Sequence, residues 1–109
     1  MSHAVIHNGV AYFCGQVARE LVPDVQLQTE TTLENIDKLL SLVETGRENI
    51  LSATVYLKNI ADFAAMNEIW DAWIPEGHAP ARACVETRMA HDDIPVSYTH
   101  LTLPTKRIV

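Results

Sequence analysis

The strongest constraint on the fold of this chain is a hydrophobic period that changes from helical to alternating, and back again, between residues 24 and 88. Val25, Thr29, Thr32, Leu33, Ile36, Leu40 and Val43 recur at helical spacing, with Glu30, Glu34, Asp37, Lys38 and Ser41 as a polar stripe opposite. Asp24 stands where its side chain can accept from a first-turn N–H. Gly46 is the expected stop, because glycine readily takes the left-handed conformation that ends many helices. Residues 50–57 then alternate, Leu51, Ala53, Val55 and Leu57 facing one way and Ser52, Thr54 and Tyr56 the other, as in a half-buried strand. A second helix is predicted from Asp62 as cap, through the apolar stripe Phe63, Met66, Trp70 and Trp73, to Pro75. Such a stripe reads as core rather than as a cofactor box. Residues 81–88 alternate again, with Arg82, Cys84, Glu86 and Arg88 on one side and Ala81, Ala83, Val85 and Thr87 on the other.

A helix joining two strands is a crossover, the connection parallel strands need. Ahead of both crossovers, residues 4–15 read as a hairpin whose turn is Asn8-Gly9, the pair suited to two successive positive φ angles. Gly15 ends or bulges its second strand. The order ββαβαβ predicts an α+β domain over residues 1–93, a mixed sheet with two helices packed on one face. Residues 94–109 form an atypical tail. Tyr98 to Leu103 could make a short strand, which Pro95 and Pro104 are expected to limit to an edge position or to little pairing.

Composition narrows the function. With 109 residues, 48% of them hydrophobic, one core can form without staples, and self-assembly would bury more apolar surface. A net charge of −6 is a poor footprint for nucleic acid. No apolar run is long enough to span a membrane. Two cysteines, Cys14 and Cys84, outside any CxxC pattern, read as reduced, buried thiols of a cytoplasmic protein.

Five histidines (His3, His7, His78, His91 and His100) show no ligand spacing, so no metal is expected. Nothing in the sequence places a histidine beside either cysteine, and four glycines build no phosphate-cradling loop. Arg82 stands out, set between Ala81 and Ala83 straight after His78-Ala79-Pro80. Its ordinary reading is a solvated arginine on an edge strand. The sharper reading is a guanidinium that small neighbours leave free to grip a carboxylate through two parallel hydrogen bonds.

Several motifs stand together in one order: His7-Asn8-Gly9, Cys14-Gly15-Gln16, Gln28-Thr29 through Leu33-Glu34-Asn35-Ile36, Ile60-Ala61-Asp62-Phe63-Ala64-Ala65-Met66-Asn67, and Pro80-Ala81-Arg82-Ala83-Cys84-Val85-Glu86. Over about residues 2–90 this order resembles the Rid, or YjgF/UK114, family of reactive-intermediate deaminases. The resemblance implies a chorismate-mutase-like fold and a homotrimer with clefts between subunits. It also implies hydrolysis of small 2-imino acids to 2-keto acids and ammonia, with no cofactor. By the same resemblance Arg82 is the carboxylate-binding and catalytic arginine. Cys84 is the second catalytic residue, its backbone groups facing the substrate, and Cys14, Gly15 and Asn67 line the cleft and bind the substrate.

Three departures from the family pattern are visible. The chain begins at Met1-Ser2-His3-Ala4, short of an opening strand and a cleft tyrosine. Cys14 replaces a serine. After about Asp93 nothing matches the family's final strand and its water-orienting glutamate, and the tail reads as unrelated sequence joined on. Glu86, on the Arg82 side, is read as a structural or interface carboxylate rather than a substitute. The alternative function is a non-catalytic member that binds a small carboxylate metabolite or a protein partner.

Overall fold

The computed structural model describes residues 3–17, 24–88 and 96–104, the last of these by backbone alone. Strands β1 (Ala4–His7) and β2 (Val10–Phe13) form the hairpin, and Asn8 and Gly9 between them have φ of 53° and 76°. Both turn residues are therefore left-handed, as the Asn-Gly pair foretold. Helix α1 (Val25–Leu42), strand β3 (Ser52–Leu57), helix α2 (Phe63–Trp73), strand β4 (Ala81–Glu86) and strand β5 (Val96–Pro104) follow. The five strands make one sheet in the order β1-β2-β5-β3-β4. Strand β4 runs parallel to β3 and the other pairings are antiparallel.

The expectation of an edge or weakly paired tail is corrected by β5, which lies in the middle of the sheet between β2 and β3. Pro95 precedes the strand and Pro104 is its last residue, so no proline interrupts the ladder within it.

One face of the sheet carries the core. Ala11 and Phe13 of β2 and Ala53, Val55 and Leu57 of β3 are buried with Leu33, Ile36, Leu39 and Leu40 of α1 and Met66, Trp70 and Trp73 of α2. Both helices therefore cover the same face, and each fully buried Leu, Ile or Val contributes about 1.5–3 kcal/mol. Two expectations shift by a residue or more. Leu51 is exposed, and Ile50, just before the strand, is buried instead. Phe63 opens the apolar stripe of α2 but stays 38% exposed.

The helix ends also differ from expectation. Asp24 does cap α1, its Oδ1 accepting from the Leu27 N–H at 3.1 Å. The helix stops before Gly46, however, and Gly46 is extended, with φ −137°. The left-handed residue is Glu44, with φ 58°. The Thr45 N–H reaches the Leu40 carbonyl and the Glu44 N–H the Ser41 carbonyl, the paired bonds of a Schellman ending. Asp62 makes no side-chain cap, because a 3₁₀ turn over Ile60–Asp62 runs straight into α2 and leaves Asp62 outside the extended conformation a capping side chain uses.

Arg47 ties the helices together. Its Nε and Nη2 donate to the two carboxylate oxygens of Asp37 at 2.8 and 2.7 Å, and its Nη1 donates to the Trp73 carbonyl at 3.1 Å. The Trp73 indole N–H donates to the same carboxylate at 3.2 Å, and the guanidinium carbon lies 4.9 Å from the Trp73 ring centroid. The hydrogen bond to Asp37 strengthens the hold of Arg47 on its proton, against the opposing effect of burial.

Glu44 holds a backbone conformation that costs a side-chain-bearing residue more than glycine. Glu44→Gly is expected to raise stability by about 0.5–1 kcal/mol, read as a higher urea midpoint at unchanged slope. A lower midpoint would show that the Glu44 side chain does more than endure the turn.

Candidate active site

Strand β4 is an edge strand, and its pairing with β3 decides where its side chains go. Arg82 lies opposite Ala53, Cys84 opposite Val55 and Glu86 opposite Leu57. Since Ala53, Val55 and Leu57 face the helices, so do Arg82, Cys84 and Glu86. Alternation in the sequence placed these three together, and the pairing adds that their side is the covered one.

Beneath α2, Arg82 meets two aromatic rings. Its guanidinium carbon lies 5.3 Å from the Trp70 ring centroid and 5.7 Å from that of Phe63. Nη1 is buried and has no hydrogen-bond partner, and among the described residues no carboxylate pairs with Arg82. The residue as a whole is only half-buried, so its exposure belongs to its other atoms. The contrast with Arg47 is informative. Both guanidinium groups lie over tryptophan, but Arg47 also holds a carboxylate and Arg82 does not. Buried polar atoms without partners are uncommon and call for an explanation.

Asn67 sits on α2 four residues after Phe63 and three before Trp70, so the three share a helix face. Its Nδ2 donates to Asp71 Oδ2 at 3.2 Å, while its Oδ1 is buried and unpaired. An unmatched acceptor and an unmatched donor thus belong to two packed elements, one from Asn67 and one from Arg82.

Cys84 is half-buried and unbonded rather than fully buried as expected. Burial pushes its thiol above the ordinary range, and the nearby Arg82 charge opposes this only in part. A shift in that direction disfavours the thiolate, the nucleophilic form of cysteine. Glu86 is engaged elsewhere, Oε1 accepting the Ile60 N–H at 2.9 Å. That bond secures the loop between β3 and α2, which fits the structural reading given to Glu86.

Cys14 and Gly15 follow β2, on the far side of the sheet. Strands β5 and β3 lie between β2 and β4, which at normal strand spacing separates β2 from β4 by roughly 14 Å. Arg82 and Cys84 share a strand face and Arg82 meets the side of α2 that carries Asn67, whereas Cys14 and Gly15 are not brought there within a single chain. Cys14 has neighbours of its own. The Gln16 side-chain amide donates to its carbonyl and to its sulfur, each at 3.1 Å, and His3 Nδ1 lies 4.0 Å from the sulfur. The fold thus brings His3 beside Cys14, where the sequence reading places no histidine. The signal was present, because pairing of Ala4 with Phe13 carries His3 opposite Cys14 one step on.

Comparison with known proteins places this arrangement. A family model described as Endoribonuclease L-PSP matches residues 1–97. The chain belongs to that family, the YjgF or Rid proteins. A RutC family protein of Haemophilus ducreyi is 46% identical over 90 residues, covering 83% of this chain and 77% of that protein. The crystal structure of a YjgF family member from Neisseria meningitidis superposes with a TM-score of 0.93 at 34% identity, covering 99% of this chain and 89% of that one. That of a Rid family protein from Yersinia pestis gives 0.89 at 27%, covering 96% and 87%. The fold is the chorismate-mutase-like α+β fold of the YjgF proteins. Among the described residues of this Rid-family chain, no helix is long and apolar enough to cross a membrane.

The reactivity of Cys84 can be measured. Alkylation by iodoacetamide, followed by mass spectrometry of the two cysteine peptides across pH, is expected to give Cys84 a midpoint above that of a free cysteine. A midpoint at or below that of free cysteine would restore the sulfur as a candidate nucleophile.

Proposed function

We propose that this Rid-family chain hydrolyses small 2-imino acids, of the kind formed from 2-aminoacrylate, to 2-keto acids and ammonia. The observation that carries the reading is the Arg82 guanidinium, which lies against two aromatic rings and, among the described residues, has no carboxylate of the kind that Arg47 holds. A ligand acid group would supply what is missing. Arginine suits this task because its planar fork makes two parallel hydrogen bonds to a carboxylate.

The reaction asks little beyond placement. The imine carbon is already electrophilic, and Arg82 anchors the adjacent carboxylate so that this carbon meets one bound water. Water adds across the C=N bond to give a carbinolamine, a proton passes to nitrogen, and ammonia leaves as the C=O bond forms. Backbone groups at Cys84 flank the anchored acid. No metal, redox group or covalent enzyme intermediate is required by this balance.

In the proposed assembly the site is completed by a second copy. Arg82 and Asn67 lie at one edge of the sheet and Cys14-Gly15 across it, so a cleft holding all of them needs the β2 end of a neighbouring protomer. The sheet face away from the helices supports such packing, since Val5, Tyr12 and Val85 on it are 54%, 47% and 42% exposed. Closed rings of identical subunits bury such faces without leaving a free edge, and three copies are the number the family resemblance implies.

A second reading has one observation in its favour. The strand Val96–Pro104 reads VSYTHLTLP and contains no carboxylate that could orient the attacking water. A chain that binds the acid without turning it over would show this. Nucleic-acid cleavage, which the family description names, is disfavoured by the net charge of −6.

Arg82→Ala is expected to abolish ammonia release from an imine generated in situ by an amino-acid oxidase, while the thermal midpoint stays close to the original. Arg82→Lys is expected to fail nearly as badly, because a point charge does not reproduce the fork. Turnover retained by the alanine variant would discard the proposal. Stabilisation by a 2-oxo acid without any ammonia release, by contrast, would select the binding-only reading.

A further inference from the structure

The contacts around Arg82 raise a question the reaction alone does not answer: what keeps a half-buried cation in place before a ligand arrives. Among the described residues no acid group is paired with it. Nη1 is buried without a hydrogen bond, the small residues Ala81 and Ala83 flank it in sequence, and Glu86, on the same strand face, is committed to the Ile60 N–H. What remains are the two ring faces, Trp70 at 5.3 Å and Phe63 at 5.7 Å from the guanidinium carbon. Both distances fall within the range over which an aromatic quadrupole attracts a cation.

We propose that Phe63 and Trp70 are positioning residues, whose rings seat the Arg82 guanidinium so that it stands charged, oriented and unpaired until a carboxylate ligand reaches it. The inference rests on the carboxylate-binding reading of Arg82 and adds the element that makes that reading work. An acidic neighbour would also hold the guanidinium, but it would compete with the ligand, as Asp37 would if Arg47 were asked to bind an acid. A ring attracts the cation without occupying its hydrogen-bond donors. The seat thereby fixes the fork in advance, which lowers the ordering cost of binding. The helix geometry explains why these two residues serve. Phe63 and Trp70 are seven apart on α2 and so fall on one face, two turns from each other, with Asn67 between them.

Trp70 is 4% exposed and belongs to the core, so replacing it would disturb packing as well as charge. Phe63, at 38% exposure, allows a cleaner test. Phenylalanines carrying one, two and five ring fluorines, introduced at position 63, weaken the quadrupole stepwise at nearly constant shape. Binding of 2-oxobutanoate as the probe, followed by titration calorimetry, is expected to weaken in the same steps, by about 3- to 10-fold over the series. Phe63→Tyr is expected to bind within about twofold of the original chain. If the Phe63 ring lies over the guanidinium in solution, the Arg82 Hε resonance is expected to move downfield in Phe63→Leu, as the ring current of that face is lost. If affinity is flat across the fluorine series while Arg82→Ala still abolishes binding, the seat is refuted and the carboxylate reading stands. An Hε resonance unmoved in Phe63→Leu also refutes it. If Arg82→Ala binds the probe as tightly as the original, the carboxylate reading itself fails and the inference falls with it.

Discussion

The structure depends on the parallel pairing of β4 with β3. That register sets Arg82 against Ala53 and so turns its side chain to the face that α2 covers. A slip of one residue would turn Arg82 to the open face and bring Ala81 and Ala83 beneath the helix instead. The pairing is held by burial of Val55 and Leu57 on one strand and by the crossover through α2, whose Met66, Trp70 and Trp73 lock against the same face. Local chemistry reinforces it, since Glu86 at the end of β4 accepts the Ile60 N–H just before α2.

Two arginines in one small domain stand over tryptophan rings in different company. Arg47 has its guanidinium on Trp73 and both carboxylate oxygens of Asp37 within hydrogen-bond reach, and it joins α1, the turn after it and the end of α2. Arg82 keeps the aromatic contact, and among the described residues no acid pairs with it. Arg47 is satisfied by the fold, whereas Arg82 keeps a buried Nη1 without a partner, which the proposed function assigns to a ligand acid group. In the proposed account the β4 edge supplies the anchor and the segment after β2 of another protomer supplies the opposite wall.

Much of the fold was legible in the sequence because it is written in short-range patterns. Asn8-Gly9 gave the hairpin, the alternation of Ala53, Val55 and Leu57 gave the inner face of β3, and the spacing of Leu33, Ile36 and Leu40 gave the sheet-facing side of α1. The departures arose where two local solutions compete. Either Glu44 or Gly46 could end α1, and the helix stops at Leu42 on a strained Glu44 rather than extending to the glycine. The placement of β5 at the centre of the sheet depends on long-range pairing that its prolines seemed to forbid, although both lie outside the strand interior.

The candidate site was legible in part for the same reason. Residues on one strand, Arg82 and Cys84, could be grouped by alternation alone. Their relation to Phe63, Trp70 and Asn67 depends on how α2 crosses the sheet, which no periodicity encodes. The pairing of His3 with Cys14 was accessible by counting outward from the turn. Asp37 looked like one more residue of a polar stripe, because only the fold brings Arg47 and Trp73 to it.

The proposed two-protomer cleft is tested most directly by subunit complementation. One protein carries Arg82→Ala and the other Gly15→Trp, which blocks the wall contributed by the segment after β2. Each alone is expected to release no ammonia from the in situ imine. After joint unfolding and refolding, mixed assemblies are expected to recover roughly a quarter of the original activity, because some clefts then draw an intact Arg82 from one protomer and an intact Gly15 from the next. Full activity in the Gly15→Trp protein alone, or no recovery on mixing two folded and associated variants, would contradict the account.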